Sequence, residues 1–310
     1  MGTVDDLILL TEIIEAGSLS AASRKTGIPK STLSRRMDDL EKELGVHLLN
    51  RGSRNFAATE IGTSVFERGQ KIKDELRIIK ALAETRTQRP AGTLRITCPV
   101  VLTERLIADF AINFSRTYPD VRISLNTTGG SFDPKIEHYD LAIQPAREAL
   151  TNSELVRQKL DVTSYCLVAA PGLIRSLGKI SAPADLNHCA GIGWAADGFS
   201  PSWRLVNKSG KSAQIKVDLK FNTNNLNVIR QAALAGLGLA RLPVSLCEAE
   251  LRDHRLVLPL PAWSPPTITI YILYPSRRSL TLAAKLFVSE LVKHLRQRPH
   301  GPQTGYHFNP

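Results

Sequence analysis

The first ninety residues place apolar side chains at helical spacing, in three short segments followed by a long one. Two short helices are predicted over DDLILLTEIIEAG and LSAASRKTG, each ending at a glycine suited to a helix C-terminus. Thr3 is the expected cap of the first helix, with Asp6 in capping-box position, and Ser18 or Ser20 is the expected cap of the second. A third helix is predicted over 30–44, ending at Gly45, with a buried stripe made of Leu33, Met37, Leu40 and Leu44.

The exposed side of this third helix opens with hydroxyl and guanidinium groups, the chemistry that binds phosphate oxygens and base edges. The candidate DNA contacts are Ser31, Thr32, Ser34, Arg35 and Arg36. Acidic residues follow only in the C-terminal half, and the helix N-terminus adds a positive dipole end. A solvated helix end is the alternative and accounts for any two of these residues. The whole cluster, after a tight turn and a small-faced helix, favours a helix-turn-helix motif.

Residues 46–59 (VHLLNRGSRNFAAT) predict two short strands joined at GSRN, which is a β-hairpin wing. Arg51 and Arg54 lie at its tip, where they would reach the sugar-phosphate backbone or the minor groove beside a recognition helix. A surface hairpin with two solvated arginines remains the alternative.

The long helix is expected to begin after a Thr59 cap and to continue to about residue 89. Its apolar positions are spaced 4, 3, 4, 3 and 4, which is a heptad seam: Val65, Gly69, Ile72, Leu76, Ile79 and Ala83. A seam of this length has little to pack against within one chain, so we expect a coiled-coil homodimer with Val65, Ile72, Leu76 and Ile79 at the interface. A dimer would also bring together two copies of residues 1–58, here called the headpiece, and this suits paired DNA half-sites.

The net charge is compatible with DNA binding but does not establish it. The net charge of +11 suits an anionic partner. Residues 1–90, however, carry 15 Lys/Arg against 13 Asp/Glu, so the positive field of this part is confined to 24–54. The start of the chain lacks the pattern of a signal peptide, and no apolar run approaches membrane-spanning length, so a cytoplasmic protein without membrane contact is expected.

The cysteines lack metal-ligand spacing, and we expect no metal and no cofactor. All four stand in apolar contexts and are expected to be buried and reduced, a redox pair being the less supported alternative: Cys98, Cys166, Cys189 and Cys247. His138, His188 and His254 are scattered over predicted loops, and no catalytic motif occurs, so no catalytic residue and no enzyme is expected.

Beyond a break at RPAG (89–92), strands alternate with amphipathic helices up to about residue 297, which predicts parallel βαβ units. Single strands are predicted over TLRITCPV, YDLAIQP, QIKVDLKFN and TITIYILYP. GLGLAR (236–241) lacks the third glycine of a dinucleotide fingerprint. The tail 298–310 is polar and rich in Pro and Gly, so it is expected to be flexible.

Residues 16–62 resemble the winged helix-turn-helix of LysR-type transcriptional regulators, through Gly17-Ser18, Ala21-Ala22, Ser34-Arg35, Leu40-Glu41, Leu44-Gly45, Leu48-Leu49, Arg51 and Thr59…Gly62. Pro29 departs from the pattern, since the family usually places a Ser or Thr cap there; the cap is then shifted to Ser31 or lost. Leu49 stands where Phe is frequent, and Ser31 where Pro or Ala is common. The resemblance continues over nearly the whole chain.

The resemblance implies a mostly α winged helix-turn-helix with a long linker helix, followed by a two-lobed α/β effector domain like periplasmic binding proteins. The expected domains are 1–58 for DNA binding, 59–89 for linker and dimerisation, and 90–297 for effector binding. Lobe I would comprise 92–164 and 268–297, and lobe II 165–267. The resemblance also implies a double-stranded operator, a small-molecule effector and a homotetramer built from dimers.

Effectors in such sheets bind at the carboxyl ends of strands. The positions that would face the cleft are Cys98, Val100, Leu102, Thr103, Gln144, Trp194, Asn222 and Asn224. Gln144 stands where many relatives have Arg, which weakens the case for a carboxylate effector at that point. Trp194 is as well explained by packing, and Asn222 and Asn224 by turning the chain and capping the next helix.

The leading hypothesis is therefore a ligand-responsive DNA-binding transcription regulator that performs no chemistry. A cytoplasmic solute-binding or sensor protein without a DNA role is the alternative.

Overall fold

The computed structural model describes residues 2–52, 55–87, 89–128, 139–146, 155–194, 198, 201–274 and 280–297. Its α-helices are α1 (Thr3–Ala16), α2 (Leu19–Thr26), α3 (Lys30–Leu44), α4 (Glu60–Thr87), α5 (Val100–Leu102), α6 (Ala108–Thr117), α7 (Pro171–Leu177), α8 (Leu226–Leu234), α9 (Val244–Arg252) and α10 (Leu282–Gln297). A π-helix (Thr103–Ile107) joins α5 to α6, and a 3₁₀ turn spans Pro183–Leu186.

The strands are β1 (Leu49–Gly52), β2 (Asn55–Ala58), β3 (Gly92–Pro99), β4 (Val121–Thr128), β5 (Leu141–Ala146), β6 (Val156–Thr163), β7 (Tyr165–Val168), β8 (Ala190–Trp194), β9 (Ser202–Asn207), β10 (Ser212–Lys216), β11 (Asp218–Thr223), β12 (Leu239–Pro243), β13 (Trp263–Ser264) and β14 (Ile268–Tyr274).

The first three helices pack around one apolar cluster, whose buried members include Leu10, Ile13, Ala22, Leu33, Met37 and Leu40. Each helix ends at a glycine with positive φ, as the sequence predicts: Gly17, Gly27 and Gly45. Ser18 caps α2 by accepting a hydrogen bond from the Ala21 N–H. The capping box expected at Thr3 is wrong: Gly2 precedes the helix, and the Thr3 hydroxyl donates to Glu43 instead. Leu44 is 40% exposed, so the buried stripe of α3 is one residue shorter than predicted.

The predicted hairpin is present as β1 and β2, paired antiparallel in the register Leu49↔Ala58 to Gly52↔Asn55. Thr59 then starts α4, because its Oγ1 accepts from the Gly62 N–H at 2.9 Å and donates to the His47 carbonyl at 2.8 Å. Gly62 packs so closely against the Leu48 carbonyl that a Cβ at this position would overlap it. The chain is therefore tied to the base of the hairpin where α4 begins.

From Gly92 onward the chain forms two α/β lobes. The first contains a five-stranded sheet of order β4-β3-β5-β14-β6, in which β3 pairs parallel with β4 and β5. β14 pairs antiparallel with both β5 and β6, so the sheet is mixed and the purely parallel prediction is wrong for these strands. Phe110 and Phe114 of α6 pack edge-on against Phe287 of α10, with ring centroids 5.0 and 5.1 Å apart.

The second lobe contains a four-stranded sheet of order β11-β8-β12-β7 and a three-stranded antiparallel sheet of order β10-β9-β13. Segment QIKVDLKFN, predicted as one strand, is divided at Val217 into β10 and β11, which belong to different sheets. Apolar clusters cover both faces of the four-stranded sheet. One is centred on Trp203, which is fully buried with the Arg241 guanidinium 4.7 Å from its ring, and the other on Ile229 and Leu242.

Candidate DNA-binding surface and effector site

The recognition helix candidate, α3, divides into a buried and an exposed face. Leu33, Met37 and Leu40 are at most 1% exposed, and they hold the helix on the headpiece core. Ser31 and Arg35 are exposed, and Thr32 and Ser34 are half-buried beside them. Pro29 provides no side-chain cap, so the cap that the family resemblance implies is lost rather than moved to Ser31.

Arg36 does not belong to this exposed set, which corrects the sequence prediction. Its Nε donates to the Asp6 carboxylate of α1, and the two side chains are only 12% and 17% exposed. The residue follows Arg35 in the chain, but a helix turns about 100° per residue, so the two neighbours point to different sides. Arg36 therefore packs α3 against α1.

The wing is positioned by a buried carboxylate on α3. Glu41 Oε1 accepts the backbone N–H groups of Leu48 and Leu49 at 2.7 and 3.0 Å, while its other oxygen lies 3.6 Å from Nδ1 of the exposed His47. This contact ties α3 to the first strand of the hairpin. Arg51 is in β1, whereas Arg54 lies outside the described residues, as does the placement of the Arg51 side chain.

Part of the predicted heptad seam on α4 is used within the chain. Val65 packs against the headpiece core, and Gly69 meets α1 so closely that a Cβ would lie 2.5 Å from Thr11 Cγ2. This corrects the expectation that the whole seam is available to a partner. Farther along, Ile72 is half-buried, while Leu76 and Ile79 are 37% and 59% exposed.

In the first lobe, the candidate effector residues surround the end of β3. Cys98 has no exposed surface, and Leu102 and Thr103 are 7% and 9% exposed, whereas Val100 is half-buried. The Thr103 hydroxyl donates to the Cys98 carbonyl at 3.4 Å, where the π-helix begins. Burial raises the pKa of the Cys98 thiol to about 12, so this side chain is a neutral part of the lobe interior. Gln144 is half-buried on β5, opposite Tyr271.

In the second lobe, the structure brings Trp194 and the Asn222–Asn224 segment together. β8 and β11 are parallel neighbours, with Gly193 opposite Asn222 and Trp194 opposite Thr223. Trp194 also packs against the Ile229 cluster, so packing accounts for part of its surface. The cap of α8 is Asn225, whose side chain accepts from the Asn227 and Val228 N–H groups, and not Asn222 or Asn224.

Two arrangements were missed by sequence reasoning. Arg105, in the π-helix, donates to Asp161 and Thr163 at 2.7 and 3.2 Å, and it thereby ties the π-helix to β6, the strand that precedes the entry of the chain into the second lobe. Cys166 and Cys247 belong to the same buried cluster, and the neighbouring Cys166 thiol together with burial raises the pKa of Cys247. Neither pair is close in sequence, so spacing carried no signal. All four cysteines are buried and free, as predicted.

Comparisons with known proteins assign this architecture. The family described as "Bacterial regulatory helix-turn-helix protein, lysR family" matches residues 4–63, and the "LysR substrate binding domain" matches residues 87–296. The chain belongs to the LysR family. It is 30% identical over 298 residues to the HTH-type transcriptional regulator PtxR of Pseudomonas aeruginosa, covering 96% of this chain and 94% of PtxR.

Solved full-length structures of LysR-family proteins have the same architecture. The virulence activator AphB of Vibrio cholerae is 28% identical, with a TM-score of 0.60 over 94% of this chain and 99% of AphB. A full-length variant of AphB, also 28% identical, gives a TM-score of 0.68 over 93% of this chain and 97% of that one.

The LysR assignment settles the broad function. Members of the family are transcriptional regulators and not enzymes; they bind DNA and small-molecule effectors, and they oligomerise. The helix-turn-helix and the two-lobed α/β regulatory domain follow one another in this chain as in AphB. Among the described residues, no helix has the length and apolar character needed to cross a membrane.

Proposed function

We propose that this LysR regulator reads operator DNA with the exposed half of α3 in a major groove. The contacts would be Ser31, Thr32, Ser34 and Arg35, with Arg51 and Arg54 of the wing on the adjacent backbone. The observation that supports this most strongly is the division of α3: hydroxyl and guanidinium groups lie on the solvent side of a helix whose Leu33, Met37 and Leu40 are buried.

A gel shift tests the DNA role, with full-length protein and the DNA upstream of its own coding region. We expect a specific shift whose affinity falls by at least about tenfold between about 50 and about 200 mM salt, because several phosphate contacts release counterions. Absence of a shift at low salt, with protein shown to be folded by circular dichroism, would contradict the proposal and favour a sensor without a DNA role.

For the regulatory domain, we infer that an effector binds between the lobes, at the carboxyl ends of β3, β5, β8 and β11. The proposed contacts are Val100, Thr103, Gln144, Trp194, Asn222 and Asn224, with the buried Cys98 and Leu102 supporting the site from the lobe interior. These side chains offer amides, a hydroxyl and apolar surface but no charge. An uncharged small molecule with hydrogen-bonding groups and an apolar part fits this set better than a carboxylate.

A thermal-shift screen of the full chain tests this inference, with each carboxylic acid paired with its primary amide. We expect the stabilising compound of a pair to be the neutral one. Asn222→Ala is expected to reduce that shift, whereas Asn113→Ala, on the exposed side of α6, retains it. Stabilisation by the acid alone would contradict the neutral-effector inference.

We propose that two chains pair through α4 around Ile72, Leu76 and Ile79, and that two such dimers associate as a tetramer. Leu76 and Ile79 are exposed, and this supports a dimer contact because large apolar side chains at helical spacing are stabilised by burial against a partner helix. Light scattering tests this: replacing Leu76 and Ile79 together by Glu is expected to lower the oligomeric state. An unchanged mass would place the interface elsewhere.

We further propose the domain organisation expected from the sequence, with DNA binding in 1–58, the linker in 59–89 and effector binding in 90–297. Lobe I would then be 92–164 with 268–297, and lobe II 165–267. Because its proposed partner is operator DNA, we place its action in the cytoplasm.

A further inference from the structure

A network of four charged side chains joins helices α1 and α2 of the DNA-binding headpiece to the linker helix α4. Glu12 and Glu15 of α1 lie between Lys25 of α2 and Lys73 of α4. Lys73 Nζ is 2.6 Å from Glu12 Oε1 and 3.5 Å from Glu15 Oε1, and Lys25 Nζ is 2.8 Å from Glu12 Oε2. Gln70 of α4 adds a hydrogen bond of 2.6 Å to Glu15. The two carboxylates are thus shared between the headpiece and the linker helix.

The network is shielded from water more than a surface ion pair is. The side chains of Glu15 and Lys73 are 5% and 11% exposed, and those of Glu12 and Lys25 are 21% and 38% exposed. Burying charges is costly, and a well-packed apolar contact of the same volume generally stabilises a fold at least as well. What such a network supplies instead is a strict orientation, because a small rotation leaves a shielded carboxylate without its cation.

The same helices are in contact one turn earlier along α4. Gly69 packs against Thr11, and both Lys73 and Glu15 lie four residues farther along their helices. α4 is therefore held on α1 at two successive turns, by steric contact at Gly69 and by charge at Lys73. Lys25 extends the second contact to α2, the first helix of the helix-turn-helix.

We propose that Lys73, through Glu12, Glu15 and Lys25, is a positioning residue that fixes the angle between linker helix α4 and the DNA-reading helix α3, and thereby the half-site spacing that the dimer accepts. This inference rests on the proposed dimer through α4. A rotation of about 10° at the clamp displaces a point about 20 Å away, on the far side of a domain of this size, by about 3.5 Å. That displacement is close to the rise of one base pair, about 3.4 Å. Spacing is thus sensitive to small changes at this contact.

The test uses full-length Lys73→Met, which keeps most of the length of the side chain and removes its charge. Lys71→Met is the matched control, since Lys71 is an exposed lysine on the same helix. The double variant Lys73→Met/Glu15→Gln removes one charge of each sign and is used if the single variant does not fold. The DNA is selected with the wild-type protein from random sequence, and its half-site spacing is then changed by one or two base pairs in each direction.

We expect the wild type and Lys71→Met to lose at least about tenfold in affinity at altered spacings, and the Lys73→Met loss to fall below about threefold. Binding of all variants to a single half-site is expected to agree within about twofold. A wild-type spacing profile in folded Lys73→Met would overturn the inference, as would an equal loss on single and paired half-sites, which indicates a general structural defect. A wild-type protein that is monomeric by light scattering would overturn the proposed dimer and this inference with it, whereas the single half-site measurement still tests DNA binding.

Discussion

Arg36 and Asp6 form an ion pair that joins α3 to α1, while the adjacent Arg35 stays exposed. Two neighbouring arginines thus have different roles, one in packing and one in the proposed DNA surface. Arg36→Ala would leave the Asp6 carboxylate without its cation in a site that is 17% exposed. We expect a loss of about 2–3 kcal/mol in the free energy of unfolding.

Urea denaturation of the full chain measures this loss, and Asp6→Asn/Arg36→Met is the compensated control, since it removes both charges and is expected to recover at least half of the loss. Equal stability of Arg36→Ala and the wild type would show that the pair contributes little.

Arg35→Ala is expected to weaken DNA binding without lowering stability, in contrast to Arg36→Ala. Because the side chain is exposed, stability should stay within about 0.5 kcal/mol, while operator affinity falls by about 1–3 kcal/mol if Arg35 contacts a base. If it contacts a phosphate instead, the slope of log affinity against log salt becomes shallower by about 1. Lys42→Ala removes the same charge near the other end of α3 and serves as control. An unchanged affinity and slope would remove Arg35 from the DNA surface.

Glu41 offers a graded test of how the wing is held. Its Oε1 accepts two backbone N–H groups, so Glu41→Ala leaves two shielded donors unpaired and is expected to cost about 2–3 kcal/mol. Glu41→Gln keeps an acceptor oxygen at the same distance along the side chain, and about half of the loss or less is expected. Thermal unfolding of both variants compares them. A glutamine variant as unstable as the alanine variant would assign the effect to charge rather than to hydrogen bonding.

Elements with a local signal were predictable from the sequence. The bounds of α3, its glycine stop, the position of the hairpin and the Thr59 start of α4 follow from spacing, turn residues and capping, which act within a few residues. The family resemblance supplied the two-lobed architecture, which periodicity alone left as alternating strands and helices. The antiparallel position of β14 between β5 and β6 was not predictable, because nothing within a strand specifies the direction of its neighbours.

The exposed face of α3 was predictable because the exposure of a helical residue follows from its angular position around the helix axis. Phase separates Leu33, Met37 and Leu40 from Ser31 and Arg35, but it does not say that Arg36 finds Asp6, thirty residues away. Gly69 was assigned to a seam with another chain because its partner Thr11 lies on a helix that sequence spacing cannot place. Likewise, Cys166 and Cys247 meet although Cys166 and Cys189 are nearer in sequence. Long-range pairs are set by packing, which local patterns do not encode.

The buried Cys98 thiol gives a pH dependence. Its pKa is raised by burial from 9.0 to about 12, so the folded state keeps its proton where the unfolded state loses it. The stabilisation that the protonated Cys98 thiol gives the folded state is fully present below pH 9.0, and it is lost as the pH rises from 9.0 toward about 12. We expect Cys98→Ala, whatever its stability at neutral pH, to show a fall in stability above pH 9.0 that is shallower by up to about 1.4 kcal/mol per pH unit. Urea denaturation from about pH 7 to about pH 10.5 measures the slope, and parallel curves for the two proteins would contradict the assignment.

The contact of Gly69 with Thr11 yields a prediction with a built-in rescue. In a solvent-exposed helix, Gly→Ala stabilises by about 1 kcal/mol. Here the added Cβ would lie 2.5 Å from Thr11 Cγ2, and α1 or α4 has to shift. We expect Gly69→Ala to lower the free energy of unfolding by about 1–3 kcal/mol despite its better helix propensity.

Thr11 donates its hydroxyl to the Ile8 carbonyl at 2.7 Å, and serine keeps that hydrogen bond while removing the obstructing methyl group. Gly69→Ala/Thr11→Ser should therefore be more stable than Gly69→Ala, with Thr11→Ser alone costing about 1 kcal/mol for its lost methyl group. Urea denaturation of the four proteins closes a double-mutant cycle, and additive effects would show that the two residues are not in contact.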